Sequence, residues 1–268
     1  MIKSAVEYSW NAEDYAKNSS NQSEWAKELI PKLQLNGKET LLDIGCGDGK
    51  ITALLAAYLP HGKVVGIDSS EEMVASAREN FPHSNYANLS FLHIDARELT
   101  FREQFDVAFS NATLHWIIDH PAVLCGVSES LDNKGRLLFQ MAGKGNAQDI
   151  IAVLEEMISE DSCEPYFKNF SFPYGFYGPE EYTPWLNEAG LKPERVELIP
   201  KVANLQGRNG LAGWIRTTWL PFTERVPVSL RDSFINEIVD RYIAAYPLDE
   251  IGMAHVKMVR LEVQATKI

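Results

Sequence analysis

Between Thr40 and Met141, short apolar runs of strand length alternate with longer segments whose apolar positions recur every three to four residues. Unbroken apolar runs suit strands buried on both faces, and the longer period suits the helices that cover them. The pattern predicts strands at 40–44, 63–67, 89–93, 105–109 and 135–141, with helices near 48–59, 70–80 and 120–131. Each helix has a start signal. Asp48 is the candidate cap of the first, Ser69 or Ser70 of the second with Glu71 or Glu72 in its first turn, and Asp119 of the third with Pro121 close behind. Strand and helix in alternation imply the α/β class, an open parallel sheet with crossover helices.

After Met141 the rhythm changes. A helix is expected at about 147–159, then an aromatic, Pro- and Gly-rich stretch from Tyr166 to Trp185, overlapped by a helix from Pro179 to Ala189 that Gly190 can stop. Strands follow near 194–203 and 255–266. Between them Trp214, Ile215 and Trp219 precede a helical stripe through Phe234, Ile238, Val239, Tyr242 and Ile243, the pattern of an inserted cap. The expected organisation is an amino-terminal helical segment at 1–36 with a helix around Glu24 to Leu35, a core at 37–203, a helical cap at 204–254, and a final strand at 255–268 that rejoins the core sheet.

Composition narrows the classes. Apolar residues make up 45% of the 268 and charged residues 23%, the usage of a folded domain rather than a disordered chain. A net charge of -12 argues against duplex nucleic acid and anionic membrane as partners, because both call for a basic face. No apolar run reaches the roughly 18 residues of a spanning helix, and the first residues lack the apolar core of a secretory signal, so a cytoplasmic location is expected. Cys46, Cys125 and Cys163 are widely spaced, without the pairing of a zinc site or a disulfide framework, and read as reduced thiols with no metal.

The chemistry concentrates where the first strand ends. Leu41-Leu42-Asp43-Ile44 runs into Gly45, Gly47 and Gly49, leaving bare backbone at the carboxyl edge of the sheet, where ligands of such folds bind. A dinucleotide site opens on a similar turn, but Lys50 stands where its third glycine would fall. Asp43 repels a pyrophosphate and attracts the ammonium and sulfonium of S-adenosylmethionine (SAM). The second strand delivers Asp68, followed by Ser69, at the same edge, suited to ribose hydroxyls or to capping the next helix. The third delivers Asp95 and Ala96, able to read an adenine amine while Ile94 and Met73 cover the ring, although Met73 equally suits the core. The fourth runs out through Asn111 and Ala112.

These residues resemble the class I SAM-dependent methyltransferases: residues 41–49 match the first motif of that family, and Asp68 and Asp95-Ala96 match its ribose and adenine positions. The resemblance covers about 40–142. It implies a Rossmann-like seven-stranded sheet, mostly parallel with the last strand antiparallel, helices on both faces, SAM as cofactor and S-adenosylhomocysteine (SAH) as product. It also implies that Gly45 and Gly47 line the methionine end, that Cys46, Asn111, Ala112 and Trp116 join the cofactor set, and that Tyr15 and Gln22 belong to a lid. A narrower resemblance, to the trans-aconitate methyltransferases, rests on Trp10-Asn11 with Tyr15, on Phe109 to Trp116, on Gln140 to Gly143, and on Gly213-Trp214 with Tyr246-Pro247. It implies methylation of a small-molecule carboxylate. His115 stands where that group has glutamine, and Leu114-His115-Trp116 is similar to methyltransferases of long apolar acids such as juvenile hormone acid.

A carboxylate arrives ionised at neutral pH, so its methylation calls for alignment and desolvation rather than a base. A phenol or amine acceptor calls for a base, with His115 the candidate by its place in the motif. Lys144, Arg208 and Arg216 are candidate cations for an acid, with Trp10 and Trp214 beside them on the substrate side. Other classes are a SAM-binding module without turnover, and an NAD oxidoreductase, against which Asp43 argues.

Overall fold

The computed structural model describes the backbone from Ser20 to Ile268 and side chains from Glu24 onward; Trp10, Tyr15 and the side chain of Gln22 lie outside the described residues. Seven strands, β1 (Thr40–Ile44), β2 (Lys63–Asp68), β3 (Leu89–His93), β4 (Phe105–Asn111), β5 (Leu131–Ala142), β6 (Leu191–Leu205) and β7 (Ala254–Lys267), form one sheet among the described residues. Its order is β3-β2-β1-β4-β5-β7-β6. β1 to β5 pair in parallel and β7 runs antiparallel to β5, as the resemblance implied. The order reverses between β1 and β4, which opens a crevice at the carboxyl ends of those two strands.

The unbroken apolar runs are explained by helices on both faces. On one face α1 (Ser20–Leu29), α2 (Lys50–Tyr58) and α3 (Glu71–Asn80) pack Leu29, Leu55 and Val74 against Leu41, Phe109 and Leu138. On the other, α4 (His120–Ser130) and α7 (Pro179–Glu188) pack Leu124, Val127 and Leu186 against Leu42, Ala108 and Phe139. Alternate strand residues serve opposite cores, and each buried Leu or Phe contributes about 1.5–3 kcal/mol.

Two predicted caps form: Ser70 Oγ accepts from Met73 N at 3.3 Å and Asp119 Oδ1 from Ala122 N at 3.1 Å. Asp48 does not cap α2. Gly49 occupies that position at φ +82°, because the glycine turn enters the helix from the left-handed region, and Asp48 instead pairs with Lys50 Nζ at 2.7 Å. The helix expected around 24–35 begins earlier, at Ser20, and gives way after Leu29 to a 3-10 turn at Ile30–Leu33. Pro31 lacks the N–H that an α-helix would use there. β5 starts before the expected 135–141: Phe105 pairs with Leu131 but Val107 with Arg136, so the chain bulges between those two registers.

Two compact units divide the described residues. The sheet unit comprises 20–146, 173–201 and 258–268, and the second unit 147–172 and 202–257. The second unit contains α5 (Gln148–Ile158), α6 (Glu164–Phe167), α8 (Gly207–Thr218), α9 (Leu220–Thr223) and α10 (Val228–Ala245). Phe167 stacks on Phe234, and Phe170 meets Phe222 edge-on at 4.8 Å. Arg241 on α10 bonds Glu237 and Glu160.

Candidate active site

The glycine turn is held by the neighbouring strand. Gly45 N and Cys46 N both donate to Ile67 O, at 2.8 and 2.9 Å, and Gly47 N donates to Asp68 Oδ2 at 3.0 Å. Two of its glycines are required for different reasons. At Gly45, φ is +76° and a Cβ would fall 2.0 Å from Thr113 Cγ2, so the contact with the chain after β4 demands glycine. Thr113 Oγ1 seals that contact by donating to Gly45 O at 3.1 Å. At Gly47, φ is +53° and a Cβ would meet no described atom within 4 Å. Its bare backbone faces open space, the cradle that an approaching cofactor would use. The residues present therefore fit SAM at this turn.

Acids stand along the same edge. Asp43 is buried on β1, its Oδ2 accepting from Thr52 Oγ1 of α2 at 2.7 Å. Burial pushes its pKa up to about 7, with Thr52 pulling downward and the charge of Asp68 adding to the rise. Asp68 spends both oxygens on backbone: Oδ1 accepts from Ser70 N at 2.9 Å, and Oδ2 holds Gly47. It shapes the glycine turn and the start of α3 together. Withdrawal from water raises its pKa against those bonds. Ser69 is exposed, and its carbonyl oxygen lies 2.9 Å from His93 Nε2. Asp95 is engaged by Arg97, whose backbone N donates to Oδ1 at 2.9 Å and whose guanidinium holds the carboxyl below its ordinary range. This bond opens a 3-10 turn at Ala96–Glu98 and buries Ala96; Met73 is buried on α3. Cys46 is buried too, and desolvation with neighbouring acids pushes its thiol well up.

β4 ends at Asn111, and Ala112 then takes φ +56°, a conformation costing an L-residue about 1–2 kcal/mol. Ala112 N donates to Gln140 O at 2.8 Å, and the reversal carries Thr113 onto Gly45. Next comes a 3-10 turn, Leu114–Trp116. The His115 ring is crowded by Trp116, Tyr174 and Phe176, with centroids at 5.8, 6.3 and 6.1 Å, and Tyr174 stacks on Phe176 at 5.3 Å. Desolvation, then the charge of Arg260, drives the His115 pKa well below its ordinary value, so the imidazole is neutral.

The candidate substrate residues fall in both units. Lys144 is exposed just beyond β5, its N donating to Tyr177 O at 2.9 Å. Arg208, Trp214 and Arg216 belong to the second unit. There Arg208 pairs with Asp240, Arg216 is exposed, and Trp214 is buried against Trp219 at 6.0 Å. The residue that sequence reasoning missed is Arg260: 3% exposed, opposite Ala142 in the β5–β7 register, its Cζ 5.1 Å from the Trp25 ring centroid. Its signal was a charge in an apolar-alternating strand. Thr52 carried none and Thr113 only its place in the 109–116 motif, because their partners lie 9 and 68 residues away along the chain. Among the described residues no group of three or more His, Cys, Asp or Glu could hold a metal ion, and no helix is long and apolar enough to cross a membrane.

Residues 35–190 match the family described as a methyltransferase domain. A methyltransferase of Schizosaccharomyces pombe is 34% identical over 196 residues, covering 72% of this chain and 74% of its own. The trans-aconitate 2-methyltransferase of Rhodopseudomonas palustris is 27% identical, covering 96% of this chain and 99% of its own. Among solved structures the YcgJ protein of Bacillus subtilis superposes with a TM-score of 0.62 at 17% identity, covering 91% of this chain and 98% of that one. The glycine cradle thus belongs to a chain that is a member of the methyltransferase domain family, a class I enzyme using SAM as its cofactor.

Proposed function

We propose that the enzyme methylates the carboxylate of a small-molecule acid. The observation that carries this reading is geometric: a buried guanidinium, Arg260, stands opposite Ala142 where β5 ends, and the half-buried His115 ring, crowded by Trp116, Tyr174 and Phe176, has its pKa lowered by desolvation and then by the charge of Arg260. An imidazole so depressed is a weak base and ill suited to deprotonating a phenol or amine. A carboxylate brings its own lone pair and gains from a desolvated cation. The 27% identity over nearly the whole length of trans-aconitate 2-methyltransferases supports the same acceptor class.

In this reading bound SAM supplies an electrophilic methyl group. Gly47 would admit its methionine end beside Gly45, Asp43 would face its positive charge, Asp68 would offer its remaining lone pairs to the ribose, and Asp95 with the backbone at Ala96 would stand beside the adenine. Arg260 draws in the acceptor carboxylate, while Trp116, Tyr174 and Phe176 exclude water from the line of attack. Lys144, just beyond β5 in the same unit, is a second candidate cation for that carboxylate.

The test is transfer from methyl-labelled SAM to four acceptor classes: polycarboxylic acids, apolar acids, phenols and amines. Base-labile methyl esters of an acid are expected, and label confined to phenols or amines would refute the reading. With an accepted acid, Arg260→Gln should raise the acceptor KM about tenfold or more, equivalent to about 1.4 kcal/mol, while the SAM dissociation constant stays within about twofold.

A further inference from the structure

Four carbonyl groups of the segment after β4 lie within hydrogen-bond reach of donors from beyond it. His115 O accepts from Gly175 N at 2.9 Å, and Ile118 O from Tyr177 Oη at 2.8 Å. Leu114 O and Ile117 O both lie 2.9 Å from His120 Nε2. Carbonyl oxygens only accept, so Nε2 must carry the ring proton. Nδ1 of the neutral ring is then an acceptor, and Tyr182 Oη, 2.6 Å away, donates to it. Tyr182 sits on α7 beneath the sheet, fully buried, with its hydroxyl also 3.4 Å from Met141 Sδ on β5.

His120 is 1% exposed and packed edge-on against Tyr177 and Tyr182, at 4.8 and 5.4 Å between centroids. Burial lowers its pKa to about 4, which keeps the ring neutral and its tautomer single-valued around neutral pH. A leucine would fill this volume without desolvating a polar ring. The ring instead ties α7 and the start of α4 to the two ends of the turn that carries His115 and Trp116. We propose that His120, oriented by Tyr182, is a positioning residue that fixes the His115–Trp116 turn against the methyl acceptor. The role rests on the acceptor reading for its kinetic consequence but not for its geometry.

Two arms test it. In the first, trans-aconitate is the acceptor probe and SAH binding is measured by calorimetry. His120→Asn, too short to reach both carbonyls, and Tyr182→Phe, which frees Nδ1 and the tautomer, are each expected to lower kcat/KM about tenfold or more. SAH affinity should stay within about twofold. His120→Gln, whose amide nitrogen reaches the Nε2 position, should recover most of the loss. Unchanged turnover in both deficient variants, or an equal loss of SAH affinity, would overturn the proposal. The second arm needs neither acceptor nor variant: long-range proton–nitrogen NMR of the histidine-labelled wild-type protein should show His120 as the neutral, Nε2-protonated tautomer between about pH 5.5 and 8. A charged or Nδ1-protonated ring in that range refutes the positioning role even if no acid is methylated, and the Nε2 form sustains it independently of which acceptor the enzyme uses.

Discussion

At Gly47 an added methyl group would meet no described protein atom, whereas at Gly45 it would collide with Thr113, so alanine substitutions separate ligand binding from folding. Gly47→Ala should cost about 1 kcal/mol of stability for its positive φ, yet weaken SAM binding about tenfold or more. Gly45→Ala should lower the melting temperature further, because backbone and Thr113 must both yield. Denaturant unfolding with calorimetric SAM titration checks both. Asp43 gives a pH signature. Its folded pKa of about 7 lies above the ordinary 3.8, so the folded protein holds a proton that the unfolded chain has lost. That contribution to stability is therefore lost as pH rises through the same window. A cationic ligand lowers the pKa, so SAM should bind with proton release below about pH 7, and its affinity should climb from about pH 5 to 8. Calorimetry in buffers of different ionisation enthalpy reads the released proton, and Asp43→Asn should abolish the release while keeping an acceptor for Thr52. These residues were legible by type and order in the sequence. Their partners were not, since Thr52, Thr113 and Ile67 reach the turn through tertiary contact.

At the scale of elements, β1 to β4 and α2 to α4 fall close to where hydrophobic periodicity predicts them, because strands buried on both faces and the helices that cover them leave strong local signals. The misplacements have local causes: a glycine replaces the expected cap of α2, a proline divides the helix after Ser20, and a bulge extends β5. Asp119 offers a test of an element alone. Asp119→Ala removes the bond to Ala122 N and should destabilise the protein by about 1 kcal/mol in urea unfolding, with SAM affinity unchanged. A loss of cofactor affinity would show that α4 is coupled to the cradle. The turn between Asn111 and Trp116 is a harder case for sequence reading. Its residues form a recognisable motif, but the left-handed Ala112 and the ring of aromatic side chains from 174 and 176 depend on a segment about 60 residues later.

For the molecule as a whole, a ligand that binds only the folded state stabilises it by mass action. SAH at about one hundred times its dissociation constant should therefore add about 2.7 kcal/mol, read as a rise in melting temperature that Gly47→Ala diminishes. The net charge of -12 gives a second expectation, that duplex DNA at low salt forms no complex in a gel-shift assay; a salt-sensitive complex would contradict the small-molecule reading. The alternation of strands and helices, the glycine turn and the acids at three strand ends are legible along the chain, because periodicity, steric permissiveness and charge are properties of neighbouring residues. What those groups do to each other is set by the fold. It buried Asp43 until its carboxyl lies near pH 7, aimed both Asp68 oxygens at backbone amides, and drew Arg260 from the last strand to the edge where β5 ends. Burial and long-range pairing set those properties, and neither is a function of local sequence.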